Sequence, residues 1–165
     1  MQTITVEEAV AKIPDGSSLL IGGFMAVGTP ERMVDEIVRQ GKRELTVIAN
    51  DTASPGVGIG KLIDARLVRK VVASHIGLNP ETQKQMMRGD LIVDLVPQGT
   101  LIEQTRAGGY GLGGVLTATG VGTEVEKRKR KIDIDGHVYL VELALRADFA
   151  LVHASRTTLA TSPTL

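Results

Sequence analysis

A chain of 165 residues with 42% apolar side chains is long enough for one α/β domain with its own core and too short for two. Nineteen basic residues balance nineteen acidic ones, and a net charge of zero argues against a general binder of nucleic acid or of membrane surfaces. The absence of cysteine excludes disulfides, thiolate metal sites and a thiol nucleophile.

Aromatic residues are only 2% of the chain, so the core must be built from Val, Ile, Leu and Ala, a composition suited to parallel strands buried on both faces. In chain order, Thr5 to Glu8 reads as a capping box that opens a short helix ending before Pro14. Asp15-Gly16 turns the chain into a buried strand within 18–23. The stretch DGSSLLIGGFMAVGTPE then passes through clustered glycines to Thr29, a candidate cap, and to Pro30, which suits a first helical position. The following helix stops at Gly41 and places Met33, Ile37 and Val38 on one side.

Residues 45–50, 67–74 and 91–99 supply further strands. Asn79-Pro80-Glu81 starts a helix ending near Gly89, and TLIEQTRAGG is helical. Asp135-Gly136 between two alternating runs predicts a hairpin, and residues 146–154 hold one more buried strand. No repeat or linker divides the chain. The pattern predicts an α/β fold with an open, mainly parallel sheet and helices on both faces.

The predicted strands end in loops that carry Gly22-Gly23-Phe24, Asn50-Asp51-Thr52 and Gln98-Gly99-Thr100. In open α/β sheets such carboxyl ends form the ligand crevice. Gly22, Gly23 and Gly28 resemble a phosphate cradle, yet neither a P-loop nor a dinucleotide fingerprint is present. Ligand contact and close chain packing explain these glycines equally well. Gly56, Gly58 and Gly60 form a second cluster. Gly108, Gly109, Gly111, Gly113 and Gly114 form a third, dense enough to predict a long irregular loop folded over a ligand or pressed against a partner.

Catalytic candidates are sparse, with no nucleophile elbow and no histidine pair at metal-ligand spacing. His75 follows a strand and is expected to make a structural hydrogen bond, while His137 and His153 are read as structural. Glu103 is expected to pair with Arg106 rather than act as a nucleophile or base. Asn50 and Gln98 suit the orientation of a carboxylate or the stabilisation of an oxyanion. The basic run Lys127 to Lys131 lies among acidic residues and reads as a solvated turn. The N-terminus has no signal-peptide core and no apolar run approaches spanning length, so a cytoplasmic location without membrane or nucleic-acid partners is the default expectation.

The pattern Asp15-Gly16, Leu19-Leu20-Ile21-Gly22-Gly23-Phe24, Gly28 and Pro30 resembles the signature of family I CoA-transferases, the 3-oxoacid and acetate group. LTVIANDTA, ASHIGLNPET, VPQGTLIEQTRAGGYGLGG, LTATGVGTEVE and LRADFALVHA continue the resemblance in order, toward α subunits of the bacterial acetate and acetoacetate type. The resemblance implies a CoA-transferase/NagB-like fold. It also implies transfer of CoA from an acyl-CoA to a short-chain carboxylate or 3-oxoacid through a covalent glutamate. That glutamate would come from a β subunit in a Ser-Glu-Asn-Gly motif, which this chain lacks.

On this resemblance there is no catalytic residue and no metal in this chain, and no cofactor beyond the CoA thioester as substrate. The partner is the β subunit, in an α2β2 assembly. Gly22, Gly23 and Phe24 would sit beside the partner's glutamate, and Asn50 and Gln98 near the acyl or carboxylate group. Gly111, Gly113 and Gly114 fall in the family's CoA-contacting glycine segment, although Val115 stands where Phe is common.

The resemblance frays after Ala154, so residues 1–154 are read as an incomplete domain and 155–165 as a non-native tail. Codons for the Gly-Asn-Leu-Thr-Tyr usual in the family, read one base late, yield Ala-Thr-Ser-Pro-Thr, which matches Ala160 to Thr164 and predicts a frameshift. Two rivals stand beside the transferase reading: a non-catalytic, partner-binding remnant, and a sugar-phosphate isomerase, disfavoured because no acid–base pair stands out.

Overall fold

The computed structural model describes residues 3–156; of the tail read at 155–165, the stretch Ala160 to Thr164 that carries the frameshift expectation lies outside them. Five short apolar strands build the main sheet: β1 (Ser18–Ile21), β2 (Leu45–Asp51), β3 (Val68–His75), β4 (Ile92–Leu95) and, late in the chain, β8 (Phe149–Leu151). They run in the order β4-β3-β2-β1-β8, and every pairing is parallel. The centre of β2 is buried on both faces, with Val47, Ile48 and Ala49 all largely hidden from water.

The two faces are covered unequally. Helices α1 (Val6–Ala11), α2 (Glu31–Gln40) and α3 (Gly60–Asp64) bring Val10, Val34, Ile37, Leu62 and Ile63 onto one face, against Leu19, Ile21, Val47 and Val71. Helix α4 (Pro80–Arg88) joins this layer through polar contacts, Gln85 Nε2 donating to the Ile63 carbonyl at 2.9 Å. The opposite face carries α5 (Gln98–Gly109), where Leu101 packs on Ile48 and Val72, with Leu20 alongside. The predicted open parallel sheet with helices on both faces is the observed architecture.

Local signals set the helix ends. The capping box of Thr5 and Glu8 is formed on α1, and Asn79 caps α4 with its side chain. Thr29, in contrast, does not cap α2: Pro30 occupies the cap position and no side chain bonds there. Thr29 is instead buried against Gly23, where close chain approach outweighs capping. Helix α5 also starts two residues earlier than the pattern predicts, with Pro97 at its cap, so Gln98 and Gly99 lie in its first turn.

The third glycine cluster is not a long loop. Gly108 and Gly109 end α5 and Gly114 opens a strand, β5 (Gly114–Thr117), that the sequence pattern did not indicate. The reason is close packing. A Cβ on Gly108 would lie 1.9 Å from the Leu145 carbonyl oxygen, and one on Gly114 would lie 2.3 Å from that of Glu142. Strand β5 pairs antiparallel with β7 (His137–Leu143), which also pairs with β6 (Lys131–Ile134) across the predicted Asp135-Gly136 turn. Buried Glu142 of β7 accepts from Gln104 Nε2 of α5 at 3.0 Å and from Lys129 at 2.5 Å, which ties the small sheet to the main body. Lys127 and Lys131 pair with Glu124 and Glu126, as a solvated basic turn should, but Lys129 departs from that reading, its chain half-buried against Glu142. Among the described residues no helix is long and apolar enough to cross a membrane.

Asp148 clasps the starts of β1 and β8, accepting from the Ser18 N–H at 2.8 Å and the Ser18 hydroxyl at 2.7 Å. The Ser18 hydroxyl first, and its backbone N–H second, hold the Asp148 carboxyl below its ordinary value of 3.8. A carboxylate with a depressed folded value contributes its full stability above the unfolded value and loses it as pH falls through the folded one. Urea unfolding followed from neutral pH to below 3.8 should therefore show a smaller acid loss in Asp148→Asn than in the parent chain.

Candidate active site

Parallel pairing brings the loops after β1, β2 and β4 to one edge. Leu20 pairs with Ile48 in register, so Gly22 and Asn50, each two residues on, lie at one level. Strand alternation turns both toward the face that carries Leu20, Ile48 and α5, while Asp51 faces the opposite layer.

The glycine loop is held by close contacts. Gly22 N–H still bonds the Leu151 carbonyl at 3.0 Å, extending the pairing with β8. Gly23 has φ +116°, and a Cβ there would lie 2.3 Å from Thr29 Oγ1, so only glycine fits. Phe24 and Val27 exchange both backbone hydrogen bonds, at 3.0 and 2.9 Å. Between them Met25 (φ 50°) and Ala26 (φ 68°) are both left-handed. A tight turn of this kind normally takes Asn-Gly, and each residue with a Cβ costs about 1–2 kcal/mol there.

Asp51 offsets that strain. Buried to 3% exposure, its carboxylate accepts from Met25 N–H at 2.8 Å and from Ala53 N–H at 2.7 Å, Ala53 being left-handed as well. Asn50 holds the same loop from the other side, its Nδ2 donating to the Gly23 carbonyl at 2.9 Å. Ser74 Oγ in turn bonds the Asn50 carbonyl at 2.7 Å. Gln98 Nε2 lies 3.5 Å from Asn50 Oδ1, completing a polar line from α5 to the glycine loop. The second glycine cluster braces this edge: Gly58 N–H donates to Glu31 at 2.9 Å, and Lys61 joins Glu31 to Asp35.

Gly22, Gly23, Phe24, Asn50 and Gln98 are thus neighbours, with Phe24 half exposed at the turn. Gly111, Gly113 and Gly114 are not. They follow the far end of a twelve-residue helix that begins at Gln98, about 18 Å along its axis. The three histidines also stay apart from the polar line. His75 is exposed at the end of β3 and its imidazole makes no hydrogen bond among the described residues, so the structural bond expected of it is not formed. His153 lies exposed beyond β8 rather than within a strand, and His137 Nδ1 contacts the Asp135 carbonyl oxygen at 3.1 Å. Glu103 is bonded to Arg106, which holds its carboxyl below the usual range, in the expected ion pair.

Asp51, which the sequence placed among the strand-end loop residues with no role of its own, is the support of the turn. A lone acid at the end of a buried strand, next to a loop rich in glycine, was the available signal. The edge offers hydrogen-bond donors and an apolar turn but no nucleophile paired with a base. Such groups orient a substrate rather than break its bonds.

The fold and edge define an open α/β protein of the class that binds ligands at the carboxyl ends of a parallel sheet. The chain belongs to the coenzyme A transferase family, whose sequence profile matches residues 3–161. It is 54% identical over 153 residues to the acetate CoA-transferase subunit alpha of Escherichia coli K12, covering 93% of this chain and 70% of that protein. It is 53% identical over 141 residues to the acetoacetyl-CoA:acetate/butyrate CoA transferase alpha subunit of Clostridium acetobutylicum, covering 86% and 65% respectively. The chain therefore spans about two thirds of the length of these relatives. The acyl-CoA transferase YdiF of Escherichia coli O157:H7 has the same fold, with a TM-score of 0.80 at 23% identity over 91% of this chain and 33% of that one.

Replacing Asp51 with Ala removes the acceptor of two backbone N–H groups and should destabilise the chain by about 2 kcal/mol or more in urea unfolding. The 24–27 turn should become a preferred cleavage site in limited proteolysis. Asp51→Asn, which keeps one carbonyl acceptor, should fall between the two.

Proposed function

We propose that this chain is the α subunit of a CoA-transferase that moves CoA from an acyl-CoA to a short-chain carboxylate or 3-oxoacid. The observation that carries this reading is the convergence of Gly23, Asn50 and Gln98 at one sheet edge with no free nucleophile beside them among the described residues. The relatives' designation as alpha subunits supports a β subunit as the source of the missing group.

In this mechanism a glutamate of the β subunit attacks the thioester carbonyl, and the C–S bond breaks to release CoA thiolate and an acyl-glutamyl anhydride. The thiolate then attacks the glutamyl carbonyl, forming a glutamyl-CoA thioester and freeing the first carboxylate. The acceptor carboxylate repeats both steps in reverse. No net proton or electron is required, which fits an edge without an acid–base pair. The part of this chain is to seat Gly22, Gly23 and Phe24 against the partner's glutamate and to hold the acyl oxygens near Asn50 and Gln98.

No further cofactor or metal enters this scheme. Gly111, Gly113 and Gly114 are assigned only as contacts for the distal part of CoA, because they lie a helix length from the acyl group. An α2β2 assembly in the cytoplasm completes the proposal.

The chain should be co-produced with a β subunit of the same source and assayed for CoA exchange between acetyl-CoA and acetoacetate or butyrate. Transfer that needs both chains is the expected result. A stable complex that transfers nothing would favour the partner-binding remnant. In the active complex, Gln98→Ala should lower kcat about a hundred-fold, the scale for losing one preorganised donor, with assembly unchanged by gel filtration.

A further inference from the structure

A groove of about 660 Å³ runs between α5 and β5, lined among others by Gln98, Gly99, Thr100, Ile102 and Leu116. Its inner end is the start of α5, and three features there point to an anionic ligand. First, no side chain caps this helix, and the N–H groups of Gln98, Gly99 and Thr100 have no acceptor among the described residues. Helix N-termini of this kind favour negative charge.

Second, Thr100 is 3% exposed and its hydroxyl has no hydrogen-bond partner among the described residues. Buried polar groups are nearly always satisfied, so a hydroxyl left without a partner among the described residues is a group that a ligand would complete. Third, Gly99 has no structural reason to be glycine. Its φ is not left-handed and a Cβ there would meet nothing within 4 Å. A helical glycine facing open space does, however, let a ligand oxygen reach the backbone.

We propose that the first turn of α5 is a carboxylate subsite, formed by the N–H groups of Gln98, Gly99 and Thr100 together with the Thr100 hydroxyl. It takes a short monocarboxylate whose tail lies along Ile102 and Leu116. Among the described residues the groove wall supplies no unpaired cation for a second carboxylate, because Arg106 is bonded to Glu103. The choice of ligand rests on the transferase reading, in which this carboxylate is the free acid that accepts CoA.

The test uses the full chain in complex with its β subunit, with glycine and threonine amides labelled with nitrogen-15, titrated with butyrate and with succinate. Butyrate should shift the Gly99 and Thr100 amides saturably, and succinate should bind no more tightly. Thr100→Val should weaken butyrate about ten-fold, the loss expected for one hydrogen bond to a charged oxygen. Gly99→Ala should weaken it as well. Both variants should keep or exceed the parent's melting temperature, since one removes an unsatisfied hydroxyl and the other a helical glycine. A structural role would instead lower stability and binding together, and that result overturns the subsite. So does the absence of a saturable shift at these amides, or tighter binding of succinate. A complex that transfers CoA without these shifts leaves the transferase reading standing and the subsite refuted. Shifts without transfer do the reverse.

Discussion

Parallel pairing of five strands is the constraint on which the rest of this molecule depends. Because all strands run the same way, each carboxyl end emerges at one edge, and each loop that follows a strand begins there. The register then decides which side chains meet. The row Ala150, Leu20, Ile48, Val72 and Asp94 crosses the whole sheet, so positions two residues beyond Leu20 and Ile48 are neighbours on the α5 face. A slip of one residue in β2 would send Asn50 to the α2 and α3 layer and Asp51 toward Gln98. The polar line is therefore a product of strand register rather than of local loop sequence.

Within that frame the edge departs from local preference. Met25, Ala26 and Ala53 all occupy left-handed conformations that residues with a Cβ avoid, and all three lie within reach of one another. A buried carboxylate that accepts two of their N–H groups stabilises the arrangement. Strain concentrated beside a ligand edge, with a dedicated support, is the pattern expected of a site whose shape matters more than its local stability.

Much of this was legible in the sequence. Apolar runs within 18–23, 45–50, 67–74 and 91–99 pointed to strands that the structure places at 18–21, 45–51, 68–75 and 92–95, because strands buried on both faces, as at the centre of β2, read as continuous Val, Ile and Leu. Strand β4 is shorter than its run and exposed at Ile92 and Leu95. Asp-Gly marked the β6–β7 hairpin because both turn residues need positive φ. The grouping of Gly22, Gly23, Phe24, Asn50 and Gln98 followed from topology alone. Strand β5 was hidden because its first residue, Gly114, is a glycine selected by the Glu142 carbonyl of the neighbouring strand, a contact that no local window contains. The role of Asp51 was hidden for a related reason, since its partner Met25 is 26 residues away and bonds through its backbone. Long-range contacts to main-chain atoms leave almost no mark on side-chain patterns.

The pairing of β1 with β8 has a consequence for how the chain reaches this state. Strands β1 to β4 are joined by nearby crossovers and can assemble in order as the polypeptide leaves the ribosome. The free side of β1 must wait for residues 149–151, roughly 130 positions later, before it gains a neighbour. Until then its backbone is an open edge beside an apolar face, available to any other extended strand in the vicinity. The late arrival of three residues thus sets the interval during which the β1 edge is open to misassembly.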